Sequence, residues 1–294
     1  MQLEIDQLTL GYGAQIVARD LSFKVSEGCI TTLIGRNGSG KSTLVRAIGR
    51  LLRPQQGAIL LDGKAISSLP TKQLAQHLAI LPQGPSAPDG VTVRDLVEHG
   101  RYPHRTFLGL KSEEDHLAVA WALNQTDMTE VADRPLGQLS GGQRQRAWIA
   151  MALAQDTDII LLDEPTTFLD VAYQLEAMEL LKRLNQRNGT TILMVLHDIN
   201  QAAQYSDQLI AVNDGSIYAA GCPADVVTAE MVHDVFGLDA DIITDRRTGA
   251  PICIPYALAR AAVQPGEAQS AEDSTQPGGS RAEVHGDDRI EAHG

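Results

Sequence analysis

Ile30-Thr31-Thr32-Leu33-Ile34-Gly35-Arg36-Asn37-Gly38-Ser39-Gly40-Lys41-Ser42 decides the architecture, because an apolar strand-like run there breaks into a glycine-rich loop that closes on Lys-Ser. From Gly35 to Ser42 the segment fits G-x-x-x-x-G-K-[ST], a pattern that arises by accident in roughly one chain in a hundred of this length. Beyond the loop, Leu44, Val45, Ile48, Leu51 and Leu52 recur at three- and four-residue spacing, which predicts a helix with one buried face. The free N–H groups and positive dipole end of that helix then point at whatever fills the loop. Gly35, Asn37, Gly38, Ser39 and Gly40 let backbone amides close around a phosphate, and Thr43 continues the first helical turn. Lys41 supplies a point charge for β and γ phosphates, and the Ser42 hydroxyl suits Mg²⁺.

Two further apolar runs end in chemistry. Asp158-Ile159-Ile160-Leu161-Leu162-Asp163-Glu164 has the length of a buried parallel strand and delivers two carboxylates at its C-terminal edge. Ligands of open α/β sheets sit beyond the carboxyl ends of the strands, so Asp163 is assigned to the metal of a bound nucleotide. Glu164, expected to point the other way along the pleat, is placed to orient or deprotonate an attacking water. Thr191-Ile192-Leu193-Met194-Val195-Leu196 ends at His197 in the same topological position. A lone histidine is more often structural, but this one caps a strand whose neighbours end in phosphate and metal ligands. Upstream, Leu139-Ser140-Gly141-Gly142-Gln143-Arg144-Gln145 opens an apolar helix through Ala147 to Ala154 and so presents a second anion-binding helix terminus. One chain does not need two such termini for one γ-phosphate.

The order of phosphate loop, Gln83, Leu-Ser-Gly-Gly-Gln, Asp163-Glu164, Asp170 and His197 resembles an ATP-binding-cassette nucleotide-binding domain, and the resemblance extends nearly to Arg260. It implies an α/β fold: a P-loop ATPase core with a mixed β-sheet, an antiparallel β lobe and a helical lobe. It also implies ATP and Mg²⁺ as ligands, with Ser42, Gln83 and Asp163 toward the metal and Glu164, His197 and Gln83 in catalysis. Taken alone, Tyr12 is a half-exposed strand tyrosine and Gln83 a surface glutamine. The resemblance gives Tyr12 a stacking role on adenine and makes Gln83 a reporter of nucleotide state that touches metal or water. It further implies a homodimer, head to tail, in which Ser140, Gly141, Gly142 and Gln143 of one chain cap the ATP held by the other. Asp170 crosses between the two sites and His197 contacts the γ-phosphate.

Composition agrees with an intracellular protein. The longest apolar stretch, Ala147 to Ala154, is far short of the about 20 residues a bilayer-crossing helix needs. The start, Met1-Gln2-Leu3-Glu4-Ile5-Asp6, alternates like a strand and lacks the basic and apolar regions of a signal peptide. Cys29, Cys222 and Cys253 are widely spaced and odd in number, and are expected to be buried thiols rather than a disulfide or metal set. A formal charge of −13 argues against nucleic acid as a partner, since such binders exchange counterions through a basic surface.

Leu3, Ile5, Leu8 and Leu10, then Leu21, Phe23 and Val25, alternate as antiparallel strands, and Ala58 to Gly63 turns a hairpin. Between Gln83 and Ser140 the pattern becomes helical, through Val93, Leu96 and Val97 and then Leu117, Val119, Ala120 and Leu123. This is the expected helical lobe, about 84–145, inside a nucleotide-binding domain over 1–263. After His197 a hairpin at Asn213-Asp214-Gly215, a short helix near Ala229 to Phe236 and a strand pair at Ile242-Ile243 and Ile252-Cys253-Ile254 are expected. From 264 to 294 glycine, proline, serine and acids dominate, the composition of a disordered acidic tail.

Gly100-Arg101-Tyr102-Pro103-His104, Gln143 to Met151, Glu164 to Asp170 and Leu196 to Ala202 are similar to the ATPase subunits of bacterial ferric-siderophore importers, with vitamin B12 and haem importers as near relatives. That resemblance implies transmembrane permease subunits as partners, an extracytoplasmic binding protein acting through them, and a place on the cytoplasmic face of the plasma membrane. It also implies that Gly100 to Arg105 faces the permease. Two other classes stand beside it: a cassette ATPase driving a clamp on nucleic acid or the ribosome, and a monomeric phosphate-loop kinase or GTPase. The chain has no heptad array of the kind such clamps carry, and a monomeric kinase would have no use for the 139–145 segment or for His197.

Overall fold

The computed structural model describes residues 1–105, 110–167 and 169–259. Two strands, β1 (Leu3–Tyr12) and β2 (Gln15–Val25), lead into β3 (Ile30–Ile34) and helix α1 (Lys41–Ile48). Then come β4 (Gln56–Leu61), β5 (Lys64–Ala65), α2 (Thr71–His77), β6 (Leu78–Leu81), and the helices α3 (Val93–His99), α4 (Glu113–Gln125) and α5 (Gly141–Ala154). The second half runs β7 (Ile159–Asp163), α6 (Val171–Asn188), β8 (Thr191–Val195), α7 (Ile199–Tyr205), β9 (Gln208–Asn213) and β10 (Ser216–Gly221). It closes with α8 (Pro223–Val226), α9 (Ala229–Met231), β11 (Leu238–Thr244) and β12 (Pro251–Leu258).

Among the described residues the main sheet has the order β10-β9-β3-β8-β7-β6, with every neighbouring pair parallel except β10 against β9. β3, β7 and β8 are buried at every position, as parallel strands covered on both faces must be. Their pleat divides the core in two. Leu33, Ile159, Leu161, Leu193 and Val195 join α1 and the antiparallel lobe. Ile160, Leu162, Ile192 and Met194, one residue out of step, join the helices α5, α6 and α7. The antiparallel sheet, β2-β1-β4-β5, is the expected β lobe. Gln7, in the left-handed region at φ 45, lets β1 slip register between Ile5 and Leu8 so that Leu3, Ile5, Leu8 and Leu10 all face inward. The terminal hairpin pairs Ile242 with Cys253 and Ile243 with Ile252, as the sequence predicts.

Helices α3 and α4 pack on α5 to form the helical region. Both open with a full capping box, Thr92 with Asp95 and Ser112 with Asp115. Arg101 seals the group: its Nε donates to Asp115 at 2.8 Å and its Nη1 to the Ala154 carbonyl at 2.9 Å, with both charged side chains nearly excluded from water.

Several expectations are corrected. Helix α1 ends at Ile48, and Arg50 turns left-handed at φ 59, so Leu51 leaves the predicted buried face and is exposed. On α4, Leu117 and Ala120 face outward while Val119, Ala122 and Leu123 fill the core. Cys253 is buried and Cys29 half-buried, but Cys222 is exposed, because it sits at the start of α8 with its thiol on Asp225; all three are free. The acidic tail expected from 264 onward lies outside the described residues.

Candidate active site

The strand order β3-β8-β7-β6 sets side by side the four C-terminal strand ends that the sequence singles out: the phosphate loop, His197, Asp163-Glu164 and Gln83. In register, Leu33 pairs with Val195 and Val195 with Asp163, so the loop, the histidine and the carboxylates leave the sheet at one level. A cleft of about 490 Å³ results, lined by Asn37, Gly38, Gly40, Lys41, Ser42, Thr43, Gln83, Glu164, Thr167 and His197, with Val17 as its apolar wall.

The phosphate loop is held open from within. Gly35 has φ +147, and a Cβ there would lie 2.2 Å from the Val212 carbonyl oxygen, so only glycine lets the loop pass the end of β9. Lys41 Nζ donates to the Gly35 and Arg36 carbonyls, both at 2.8 Å, and to Ser39 Oγ at 3.3 Å. Gly40, the N-cap of α1, offers no side chain to the helix start, which leaves the first-turn N–H groups for an anion. Burial pulls the Lys41 ammonium below its ordinary pKa, against the opposing pull of Glu164 and Asp163.

Ser42 Oγ donates to Asp163 Oδ1 at 2.8 Å, joining the loop to the end of β7. Burial pushes the Asp163 carboxyl up; the Ser42 hydroxyl works against this and the Glu164 charge with it. Among the described residues no cluster of three or more His, Cys, Asp or Glu side chains stands ready to hold a metal alone. A hydroxyl and a buried carboxylate in contact, beside a phosphate loop, are the hard oxygen donors of a cation that takes few protein ligands and completes its shell with phosphate and water, which fits Mg²⁺.

Glu164 is not on the pleat. The strand ends at Asp163, and Glu164 takes φ +56, a left-handed conformation costly for a residue with a side chain. That turn, rather than pleat alternation, brings its carboxylate into the cleft. There Oε1 meets His197 Nε2 at 2.5 Å, while Oε2 accepts from Gln83 Nε2 at 2.5 Å and from Thr167 Oγ1 at 2.9 Å. Thr167 was not among the residues the sequence singled out. Its only signal is a hydroxyl three positions after Glu164, which becomes a contact only when the chain turns.

The remaining predicted residues lie elsewhere. Ser140 Oγ accepts from the Gln143 N–H at 3.2 Å and the Gln143 side chain returns to the Ser140 N–H, a capping box that starts α5 away from the lining of the cleft. Gly142 packs on α6, where a Cβ would stand 2.4 Å from the Tyr173 ring. Asp170 caps α6, its Oδ1 accepting from the Tyr173 N–H at 3.0 Å. Tyr12, half-exposed at the end of β1, lies against α1, where Thr43 and then Arg46 draw its phenol below the ordinary pKa. Of the segment expected to face a permease, Arg101 is buried and His104 Nε2 donates to the Gln155 carbonyl at 2.7 Å; Tyr102 is the residue that stands out, 74% exposed.

Fold and cleft define a phosphate-loop domain that binds a nucleoside triphosphate at the carboxyl edge of its sheet. The sequence pattern of the ABC transporter family matches residues 18–167. The petrobactin import ATP-binding protein FpuD of Bacillus anthracis is 54% identical over 258 residues, 88% of this chain and 94% of that protein. The iron(3+)-hydroxamate import ATP-binding protein FhuC of Bacillus subtilis strain 168 is 50% identical over 256 residues, 87% of this chain and 95% of the relative. Among solved structures, a metal-chelate type ABC transporter in an inward-facing conformation superposes with TM-score 0.76 at 29% identity, covering 86% of this chain and 97% of that one. The dimeric bacterial cassette MJ0796 superposes with TM-score 0.66 at 30% identity, over 75% and 98%. The chain belongs to the ABC transporter family and is an ATP-binding ATPase of that family.

Proposed function

We propose that this protein is the ATP-hydrolysing subunit of a bacterial importer of ferric siderophores, working as a homodimer on the cytoplasmic face of the plasma membrane beneath transmembrane permease subunits. The observation that carries the enzymatic part is the convergence of Lys41, Ser42-Asp163, Gln83, Glu164 and His197 on one cleft from four adjacent strand ends. The cargo is supported by the hydroxamate and petrobactin importers to which the chain is half identical. Among the described residues no helix is long and apolar enough to cross a membrane, so transport requires partners that do. An extracytoplasmic binding protein would act on this chain through the permease. Nucleic acid has no part in this reading. Residues 1–263 are taken as the nucleotide-binding domain, with the helical lobe at about 84–145 and the segment 264–294 as an appended acidic tail.

In this mechanism Lys41 and the α1 N-terminus hold the β and γ phosphates, with Gly35, Asn37, Gly38, Ser39, Gly40 and Thr43 shaping the cradle. Tyr12 stacks on the adenine. Ser42, Asp163 and Gln83 would hold Mg²⁺, which when bound neutralises charge developing on the phosphoryl oxygens. Glu164 orients the attacking water and takes its proton, and His197 contacts the γ-phosphate. Ser140, Gly141, Gly142 and Gln143 reach the γ-phosphate of the partner chain's ATP, which explains a glycine-rich helix start set apart from its own cleft. Asp170 orders the crossing between the two sites by fixing the start of α6. ATP favours the closed pair by its differential affinity, and hydrolysis reopens it.

The test is uptake of radiolabelled iron, presented as a panel of ferric siderophores with vitamin B12 and haem alongside, in cells lacking the protein and complemented with wild type or Glu164→Gln. Loss of uptake of a siderophore, restored by wild type alone, is the expected result. Unchanged iron uptake with lost B12 or haem uptake would move the cargo, and no transport defect would overturn the importer reading.

A further inference from the structure

Glu164 has three side-chain neighbours in the cleft, two hydrogen-bond donors and the His197 imidazole. Gln83 reaches it from the loop after β6 and His197 from the loop after β8, both across the sheet. Thr167 reaches it from within the same turn: its Oγ1 donates to Glu164 Oε2 at 2.9 Å, and its backbone N–H donates to the Glu164 carbonyl at 3.3 Å. The two-point attachment spans four residues, with Pro165 and the buried Thr166 between its ends. It closes the turn that the left-handed Glu164 opens. Gln83 and His197 each have other work in the proposed mechanism, at metal or water and at the γ-phosphate. The Thr167 hydroxyl has one side-chain partner among the described residues, Glu164.

We propose that Thr167 is the positioning residue of the reaction: its hydroxyl pins Glu164 Oε2 so that Oε1 faces the attacking water once His197 and Gln83 turn to the phosphate and metal. The proposal rests on Glu164 being the general base. A carboxylate on a flexible side chain samples several rotamers, and a single charge-assisted hydrogen bond from a neighbour on the same turn selects one of them without moving the nucleotide. Oε2 then serves as the anchored oxygen and Oε1 as the proton acceptor. Because the donor lies three residues from Glu164 in sequence, the anchor survives any shift of the β6 and β8 loops relative to β7.

The experiment compares the full-length chain as wild type, Thr167→Val, Thr167→Ser, Thr167→Ala and Glu164→Gln, measuring single-turnover ATP hydrolysis and, separately, ATP binding by fluorescence of a trinitrophenyl-ATP probe. Thr167→Val keeps the shape and removes the donor. It should slow the chemical step on the order of tenfold to a hundredfold while leaving probe affinity within about twofold, the loss expected for one hydrogen bond to a charged group. Thr167→Ser should recover most of the rate. In the Glu164→Gln background Thr167→Val should cause no further loss, because the hydroxyl acts through the carboxylate. Wild-type turnover in Thr167→Val would overturn the proposal. So would equal slowing by Thr167→Ser and Thr167→Ala, which makes shape rather than the hydroxyl the cause, and it decides the matter even where Thr167→Val folds poorly. Undiminished hydrolysis in Glu164→Gln would remove the general base itself, a failure distinct from a slow Glu164→Gln beside a normal Thr167→Val.

Discussion

Lys41 and Glu164 share the cleft, and the proposed mechanism has them do different things to the same substrate. Lys41 contributes charge to the bound ground state as well as to the transition state, so Lys41→Ala should weaken ATP binding itself; tight retained affinity in a filter-binding assay would contradict its placement. With Glu164 assigned to the water in that mechanism, Glu164→Gln should keep ATP affinity and lose hydrolysis by a factor on the order of 10² to 10⁴. Undiminished turnover in a phosphate-release assay would refute that role. Both residues were legible because phosphate and metal chemistry demands particular residue types at strand ends, and the apolar runs mark where the strands end. Two things were not. The left-handed Glu164 replaces the pleat alternation expected of it, and the Thr167 contact exists only because of that turn. Asp170 was read by resemblance as a residue of the paired sites, while its carboxylate caps α6, a role that any Asp before a helix could play.

The buried Arg101–Asp115 pair locks α3, α4 and α5 into one unit, and it makes predictions at the scale of elements. Asp115→Ala leaves a guanidinium buried without its counter-ion and should cost about 3–5 kcal/mol, read as a lowered urea midpoint. Burial alone would push the Asp115 carboxyl up, but the Ser112 backbone N–H, the Arg101 guanidinium and the Ser112 hydroxyl outweigh it and hold it below the ordinary carboxylate range. A carboxyl whose folded pKa is depressed adds stability above its unfolded pKa, about 3.9, and loses it as pH falls through the folded one. Urea midpoints measured from pH 6 down to pH 2 should therefore fall more steeply in wild type than in Asp115→Asn; parallel curves would contradict the pairing. Gly142→Ala tests the seam between α5 and α6: its Cβ would meet the Tyr173 ring at 2.4 Å, so the ring or the α5 start must shift. The variant should lose ATPase activity while α5 remains helical by circular dichroism. Helices α1, α3 and α4 were readable from three- and four-residue spacing, α5 and the final hairpin from their apolar runs, while α6 (Val171–Asn188) carried no reading. The end of α1 was not, because Leu51 continues the apolar spacing after the backbone has left the helix at Gly49-Arg50. The orientation of Gly100 to Arg105 was likewise hidden, since nothing in the local sequence says that Arg101 finds a carboxylate fourteen residues on.

At the scale of the whole molecule, alternate residues of β3, β7 and β8 feed two cores, one under the antiparallel lobe and one under the helices, and the residues lining the cleft follow the ends of the sheet between them. Among the described residues there is one phosphate-loop cleft and, away from its lining, the glycine-rich start of α5, with no acidic residue in its first turn. In the proposed function those two features complement each other between two copies, each α5 start facing the cleft of the other. The most direct measurement is the solution mass of Glu164→Gln by light scattering, without nucleotide and with saturating ATP. The expected result is a monomer that becomes a dimer with ATP and returns to monomer when ATP is removed. A chain that stays monomeric with ATP bound, at concentrations well above those of the ATPase assay, would contradict it.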